Sequence, residues 1–148
     1  MKRRDFIKGA VVTAALMSTG KAFAYNGDEA TGGTGLLKLQ NRDNPSPVEQ
    51  GHVPAIEAPS QAQKGEWFDV TVKVGFMKEH ASKPDHWITF IKLIANGDYV
   101  VKAEYEVGGV SASSATFRVK VEEETRLQAI AHCNLHGTWL SDPATVAV

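Results

Sequence analysis

From position 67 onward, hydrophobic and polar residues alternate along much of the chain with a period of two, which is typical of β-strands. Turn-forming residues interrupt the alternation at Asn96-Gly97-Asp98, at 108–109 and at 122–124, and Asn-Gly is a strong hairpin signal. About seven short strands in a domain of this size predict an all-β fold, an antiparallel β-sandwich. The runs with the strand pattern cover residues 67–74, 87–94, 99–105, 115–121 and 125–131.

The first 24 residues have the pattern of an export signal. A twin-arginine motif around Arg3 and Arg4 precedes a weakly apolar run over residues 9–20, and Ala22-Phe23-Ala24 is similar to a cleavage site. The alternative interpretation is a short amphipathic helix with a basic start. We expect residues 1–24 to be a twin-arginine signal peptide and the mature protein to be periplasmic.

Residues 25–50 are rich in Gly, Thr, Asn and Pro, and turn-forming residues at this density resist a packed core. We therefore expect a mostly irregular lead-in over these residues, in which Leu36-Leu37-Lys38-Leu39 could dock as a short helix or strand. The lead-in precedes one domain, residues 51–148, and the chain contains no internal repeat.

Composition and charge exclude some classes of function. The chain has 148 residues, 43% hydrophobic and 22% charged, as in an ordinary globular domain. Loss of the signal would remove five basic residues and one acidic residue, leaving 11 basic and 16 acidic residues and a net charge of −5. Such a balance argues against nucleic-acid binding, which requires a basic surface. No apolar run reaches the ~18 residues that span a bilayer, so we expect no transmembrane anchor after cleavage.

The candidate chemistry centres on the single cysteine, Cys133, which is followed three positions later by His136. His52, His80 and His86 lie upstream, so four imidazoles and one thiol are available. A thiolate with imidazoles suits a transition metal rather than calcium or magnesium. Taken singly, His52 and His80 are better interpreted as loop or solvated residues. The alternatives for the other two are a satisfied core histidine for His86 and a buried inert residue for Cys133.

Together these residues resemble the iron-site motifs of the superoxide reductases, the neelaredoxin and desulfoferrodoxin family. The motifs occur in family order over roughly residues 52–140, and a Cys-x-x-His pair alone would be weak evidence, because it also occurs in zinc and copper sites. The matching motifs are Gly51-His52-Val53-Pro54, then His80 and His86, then Cys133-Asn134-x-His136-Gly137.

The resemblance implies an immunoglobulin-like β-sandwich with one iron per chain, cycling between Fe(II) and Fe(III). It implies that His52, His80, His86 and His136 are equatorial ligands, that Cys133 is the axial ligand, and that the sixth position is open. Superoxide would be reduced there to hydrogen peroxide, and an unidentified external electron donor would restore the iron. The sequence leaves a homo-oligomer open.

The chain departs from the family pattern just before its first motif. Family members commonly carry a Glu-Lys pair there, whereas this chain has Gln50 and Gly51. Lys83, between two of the implied ligands, is a candidate catalytic substitute that would attract superoxide, and the alternative is an ordinary solvated lysine. On a strand, His132 would point away from its neighbour Cys133, so we expect no ligand role for it.

Two other classes of function remain open. The first is an exported copper or iron electron-transfer protein, although blue-copper sites use two histidines and a weak axial methionine, and no methionine follows Cys133. The second is a non-catalytic carrier or binding module for sulfur compounds, with Cys133 as the attachment point. A carrier favours a mobile terminal cysteine, whereas Cys133 lies within a strand-like apolar run.

Overall fold

The computed structural model describes residues 35–148, which form two β-sheets and one short helix. The elements in this part of the chain are β1 (Leu36–Lys38), α1 (Pro47–His52), β2 (Pro54–Glu57), β3 (Phe68–Val74), β4 (Ile88–Ala95), β5 (Asp98–Glu104), β6 (Ser114–Val119), β7 (Thr125–Cys133), β8 (Gly137–Leu140) and β9 (Ala144–Val146).

The two sheets pack face to face as a sandwich. The larger sheet has the strand order β1-β8-β7-β4-β5, with β9 also paired to β7, and the smaller sheet has the order β2-β3-β6. The β1–β8 pair is parallel, and the remaining strand pairs are antiparallel. The all-β sandwich expected from the sequence is therefore confirmed.

The core lies between the sheets and follows from the alternation of side chains along each strand. Val70, Val72 and Val74 of β3 are fully buried, while Thr71 and Lys73 between them lie on the outer face. Burying each such valine contributes roughly 1.5–3 kcal/mol. Equally buried side chains of the larger sheet pack against these valines: Ile91, Leu93, Leu127, Ala129 and Ala131.

The five strand-like runs read from the sequence correspond to β3 to β7 and are confirmed. The count of about seven strands was low, because the described residues contain nine. Strands β1, β2, β8 and β9 have only three or four residues each. Segments this short carry too few positions for a period-two pattern to be recognised.

The lead-in is more ordered than the mostly irregular stretch expected over 25–50, because it contains the start of α1 as well as β1, which lies where a short helix or strand was allowed for. Ser46 caps α1: its hydroxyl accepts from the Glu49 N–H at 3.3 Å, and the Glu49 carboxylate accepts from the Ser46 N–H at 2.7 Å. Pro47 occupies the first turn, where its fixed φ suits a helix. The Gln40 N–H also donates to Glu49, at 2.6 Å, and so fastens the preceding segment to the helix.

The expected signal peptide, residues 1–24, lies outside the described residues. Within residues 35–148, no helix combines the length and the apolar character that crossing a bilayer would require.

The candidate ligands come from segments that meet at one end of the sandwich. His52 is the last residue of α1, His80 follows β3, His86 lies two residues before β4, and Cys133 is the last residue of β7. The Asn96-Gly97 hairpin lies at the opposite end of β4, with φ values of 47° and 89° that fit a type I′ turn.

Candidate metal centre

A tight turn after β3 brings His80 to the end of the sandwich. Gly75 has φ of +90°, and a Cβ at this position would lie 1.9 Å from the Lys78 carbonyl oxygen, so only glycine fits. The His80 N–H then donates to the Val74 carbonyl at 3.0 Å, and the Ser113 hydroxyl donates to the His80 carbonyl at 3.0 Å. The backbone of His80 is thereby fixed on both sides.

A second turn places His86. The Lys83 N–H donates to the His86 carbonyl at 2.8 Å, and the His86 N–H donates to the Lys83 carbonyl at 3.1 Å. Gly108 lies against this turn so closely that a Cβ there would be 2.1 Å from the Lys83 carbonyl oxygen. No sequence pattern indicates that Gly75 or Gly108 supports a ligand-bearing loop.

The four imidazole rings form a closed square. Neighbouring ring centroids are 4.6 Å apart for His52–His80, 4.6 Å for His80–His86, 4.9 Å for His86–His136 and 4.7 Å for His136–His52. Neighbouring planes stand at 73–84° to each other, and His52 and His86 face each other across the square with centroids 6.2 Å apart. This arrangement directs four rings around one central point.

The ring nitrogens that face the square carry lone pairs. His52 Nδ1 donates to the Val48 carbonyl at 2.7 Å and His80 Nδ1 donates to the Ala81 carbonyl at 2.6 Å, so in each ring Nε2 is the unprotonated nitrogen. His52 Nε2 lies 3.0 Å from His136 Nδ1. Lone pairs this close repel one another unless a proton or a cation lies between them.

Two further observations show that these residues fit a bound metal ion. The Nε2 atoms of His80 and His86 are buried without a hydrogen-bond partner, which is costly for a polar atom unless it has a ligand. Ligand atoms of His52, His86, Cys133 and His136 all lie within 4.8 Å of one another. His80 is not in that set, although its ring lies 4.6 Å from those of both His52 and His86, centroid to centroid.

Cys133 is fully buried at the end of β7, with its sulfur 3.5 Å from His136 Nδ1. Burial raises the pKa of the Cys133 thiol, while hydrogen bonds from the Leu135 and His136 backbone N–H groups oppose this rise. A cation in the square would favour the thiolate form, because metal ligation deprotonates a thiol.

His52, His80 and His86 are held neutral, which is the form that binds metals. Burial, followed by the nearby His52, lowers the pKa of His80 to about 4. Burial is also the main cause that lowers the pKa values of His52 and His86, and the neighbouring His136 lowers both further. At neutral pH these three rings therefore offer lone pairs rather than positive charges.

The square is open to solvent on one side. His136 is exposed and His86 is half-buried, whereas His52 and His80 are buried. Leu135, between Cys133 and His136, is 60% exposed. A small molecule can reach the centre from the His136 side.

Asn134 joins the two segments that carry Cys133 and His86. Its side-chain oxygen accepts from the Trp87 N–H at 2.9 Å, and its amide donates to the Asp85 carbonyl at 2.9 Å. The Cys-Asn-x-His spacing indicates this turn, but no sequence pattern indicates its hydrogen bonds to the segment around His86.

Trp139 supports the far side of the turn, and sequence reasoning missed it. Its indole N–H donates to the His136 carbonyl at 3.0 Å, and its ring centroid lies 5.3 Å from that of His52. His132 points away from the square, as expected: its ring stacks on Phe90 with centroids 5.5 Å apart.

Residues 49–51, where this chain differs from the family pattern, make contacts outside the square. Both carboxylate oxygens of Glu49 accept backbone hydrogen bonds from Gln40 and Ser46, which lower its pKa and commit it to capping α1. The Gln50 side chain donates to the Pro45 carbonyl at 2.9 Å. Gly51 has room for a side chain, because a Cβ there would meet only the Lys78 carbonyl oxygen, at 3.9 Å.

Lys83 is exposed, and its backbone is paired with that of His86. Its positive charge contributes to lowering the pKa of His86, after burial and His136. The side chain therefore acts electrostatically on one ring of the square while remaining in solvent.

A family model described as desulfoferrodoxin matches residues 44–142. The superoxide reductase of Pyrococcus abyssi is 31% identical over 100 residues, covering 60% of this chain and 81% of the relative. The desulfoferrodoxin of Nitratidesulfovibrio vulgaris is 29% identical over 106 residues, covering 72% of this chain and 73% of the relative.

Similar solved structures include the superoxide reductase (neelaredoxin) of Ignicoccus hospitalis. It superposes with a TM-score of 0.62 at 28% identity, covering 70% of this chain and 87% of that chain. The matched residues include the whole square of histidines and Cys133. The chain belongs to the desulfoferrodoxin family.

Proposed function

We propose that this protein is a superoxide reductase that holds one non-haem iron through His52, His80, His86, His136 and Cys133. The observation that carries the proposal is the closed square of four imidazoles beside one buried thiol. Iron held by these residues would supply one electron and a coordination position for superoxide. The balanced reaction combines superoxide, one electron and two protons into hydrogen peroxide.

The side chains prepare this site in three ways. Carbonyl acceptors at Val48 and Ala81 fix the tautomers of His52 and His80, so that unprotonated nitrogens face the centre. Backbone N–H groups stabilise the sulfur of Cys133 in its charged form. Because these partners are in place before any ligand binds, little rearrangement is needed.

Superoxide would enter on the exposed His136 side, where solvent also supplies the protons. In this proposal Lys83 replaces the lysine that family members commonly carry at position 51. Its ammonium would attract the anion by an amount on the order of 1 kcal/mol in a wet site. Repeated turnover would require an external electron donor.

The proposal places the mature protein in the periplasm after twin-arginine export. The sequence motif at Arg3 and Arg4 and the Ala22-Phe23-Ala24 site support it. A single cysteine in an oxidising compartment is also consistent with a metal ligand, because a ligated thiolate is withdrawn from disulfide exchange. Fractionation of cells with and without a working twin-arginine translocase, followed by detection of the protein, tests this part.

The reaction is tested by mixing the reduced iron-loaded protein with a pulse of superoxide and measuring both products. One hydrogen peroxide should form per superoxide consumed, without stoichiometric dioxygen, and the protein should stop after one turnover unless a reductant is present. Equal yields of dioxygen and peroxide without reductant would identify a dismutase and overturn the proposal.

A further inference from the structure

His136 is the exposed corner of the square and lies in the hairpin that joins β7 to β8. Its Nδ1 faces the centre, 3.0 Å from His52 Nε2 and 3.5 Å from the Cys133 sulfur. The rings of His52 and His80 are each held by a hydrogen bond from their outer nitrogen to a carbonyl. Among residues 35–148, nothing hydrogen-bonds the outer nitrogen of His136, so the position of this ring depends on its backbone.

Trp139 holds that backbone. Its indole N–H donates to the His136 carbonyl at 3.0 Å. The indole is 6% exposed and belongs to β8, which is paired on both sides: Trp139 lies opposite Ala131 of β7 and opposite Leu37 of β1. A side chain on a strand fixed from both sides is a rigid support for an exposed turn.

The same indole packs against a second corner of the square. Its ring centroid lies 5.3 Å from that of His52, with the planes at 35°. Trp139 therefore contacts the two rings whose centre-facing nitrogens are 3.0 Å apart. Because the lone pairs of these nitrogens repel each other in the metal-free protein, the exposed ring, that of His136, is the one with room to move away.

We propose that Trp139 is a positioning residue that keeps His136 in the square through its indole N–H. The inference rests on the metal site of the proposed function. Without this donor the His136 carbonyl would turn to solvent and its ring would leave the square. Four protein ligands would then remain: His52, His80, His86 and Cys133.

The proposal is tested by replacing Trp139 with benzothienylalanine, which keeps the shape of the indole but has sulfur in place of the N–H. The full-length proteins are loaded with cobalt(II), whose visible absorption strengthens as its coordination number falls, and competition with a chelator measures the affinity. We expect affinity weaker by roughly 10–100-fold and a stronger visible band. Trp139→Phe, which also lacks the N–H, should behave alike. Unchanged affinity and spectrum would overturn the proposal.

A double-mutant cycle shows whether Trp139 acts through His136. His136→Ala removes the ring, so replacing Trp139 by benzothienylalanine in this background should change the cobalt affinity by less than about twofold. The visible spectra of the two single variants should also match. Equal losses of affinity in both backgrounds would show that Trp139 affects the site by another route, and this result would overturn the proposal.

Two control variants separate positioning from general stability. The same analogue at Trp67, which is 54% exposed and lies at the other end of β3 from His80, should leave cobalt affinity and spectrum unchanged. Val70→Ala, in the core, should lower stability in urea without changing the spectrum. A loss of affinity in Val70→Ala as large as that at Trp139 would show that stability alone explains the effect, and would overturn the proposal.

The cobalt spectra also distinguish failure of this inference from failure of the proposed function. A wild-type cobalt protein without a sulfur-to-cobalt charge-transfer band would overturn the proposed metal site itself. A wild-type protein with this band, together with an unaltered Trp139-substituted protein, would overturn only the positioning role of Trp139.

Discussion

The side-chain oxygen of Asn134 accepts a hydrogen bond from the Trp87 N–H at 2.9 Å, and the Asn134 N–H donates to the Trp87 carbonyl at 3.2 Å. These bonds connect the residue after Cys133 to the residue after His86. The distance between two candidate ligands on different segments is therefore set by one asparagine.

Asn134→Ala should loosen this connection. Loss of the side chain leaves the Trp87 N–H and the Asp85 carbonyl without their partner, which costs about 1–3 kcal/mol. Metal affinity should fall by roughly 10–100-fold, as for other residues that orient ligands. Competition with a chelator measures the affinity, and urea unfolding measures the stability. Asn134→Asp keeps the oxygen but not the donor, so its metal affinity should lie between those of the wild type and Asn134→Ala. Equal affinity in all three proteins would contradict this role of Asn134.

Cys133→Ser should abolish the sulfur-to-iron charge-transfer band of the oxidised protein, because a hydroxyl does not replace thiolate donation. Visible spectra of the iron-loaded protein before and after oxidation provide the measurement. His132→Gln is the matched control, since His132 is the neighbour on the opposite face, stacked on Phe90. An unchanged band in the serine variant would refute Cys133 as a ligand.

The metal-free protein should lose stability as the pH falls below neutral. The pKa of His80 is lowered to about 4 from an ordinary 6.5, so the unfolded chain binds the proton first. The stabilising contribution is complete above pH 6.5 and is lost between pH 6.5 and about 4, up to roughly 3 kcal/mol for His80. The lowered pKa values of His52 and His86 act in the same direction.

Urea unfolding of the metal-free protein at a series of pH values measures this loss. His80→Gln should flatten the dependence, because it removes the group with the largest resolved shift. A stability that does not change from pH 7 to pH 4 would show that the histidines are not held neutral by burial.

Gly51→Lys should raise the second-order rate constant with superoxide by up to roughly tenfold, a factor that corresponds to ~1.4 kcal/mol. The position lies in α1 and has room for a side chain. The gain should shrink as salt is added, since screening weakens the attraction. Pulse-generated superoxide at low and high ionic strength measures it.

Lys83→Ala should slow the same reaction with the same salt dependence if Lys83 attracts the anion. Lys120→Ala, a change at the opposite end of the sandwich, is the control. If Gly51→Lys and Lys83→Ala both react as fast as the wild type, the charge of the metal ion alone attracts superoxide.

Glu49→Gln should destabilise the protein without changing the spectrum of the ferric centre. Its two carboxylate oxygens each accept a short backbone hydrogen bond, from Gln40 and Ser46. An amide has one oxygen and an –NH₂ group that cannot accept, so glutamine keeps at most one of the two bonds. Because hydrogen bonding lowers the pKa of Glu49, its contribution is present above the ordinary pKa and is lost in acid. Thermal unfolding measures the stability, and a shifted ferric spectrum would instead make Glu49 a ligand.

The sequence by itself determined the fold class and the set of candidate ligands. Alternating patterns predicted β3 to β7, because a period of two persists over strands of six to nine residues. The candidate ligands could be named because their residue types and order resemble a known family. Among the short elements, only β1 was anticipated, as a possible helix or strand over residues 36–39. Strands β2, β8 and β9 and helix α1 were missed, since three to six residues carry little periodic signal and their packing partners lie far along the chain.

Only the tertiary structure decided how those residues meet. His52 and His136 are 84 positions apart, yet their ring nitrogens lie 3.0 Å from each other. Contacts between distant segments also determine the closed square, its exposed side, the hydrogen bonds of Glu49 and the unpaired atoms of Asn96 and Glu123. Sequence patterns report local periodicity and residue type, whereas these contacts arise when the two sheets pack and bring their loops together.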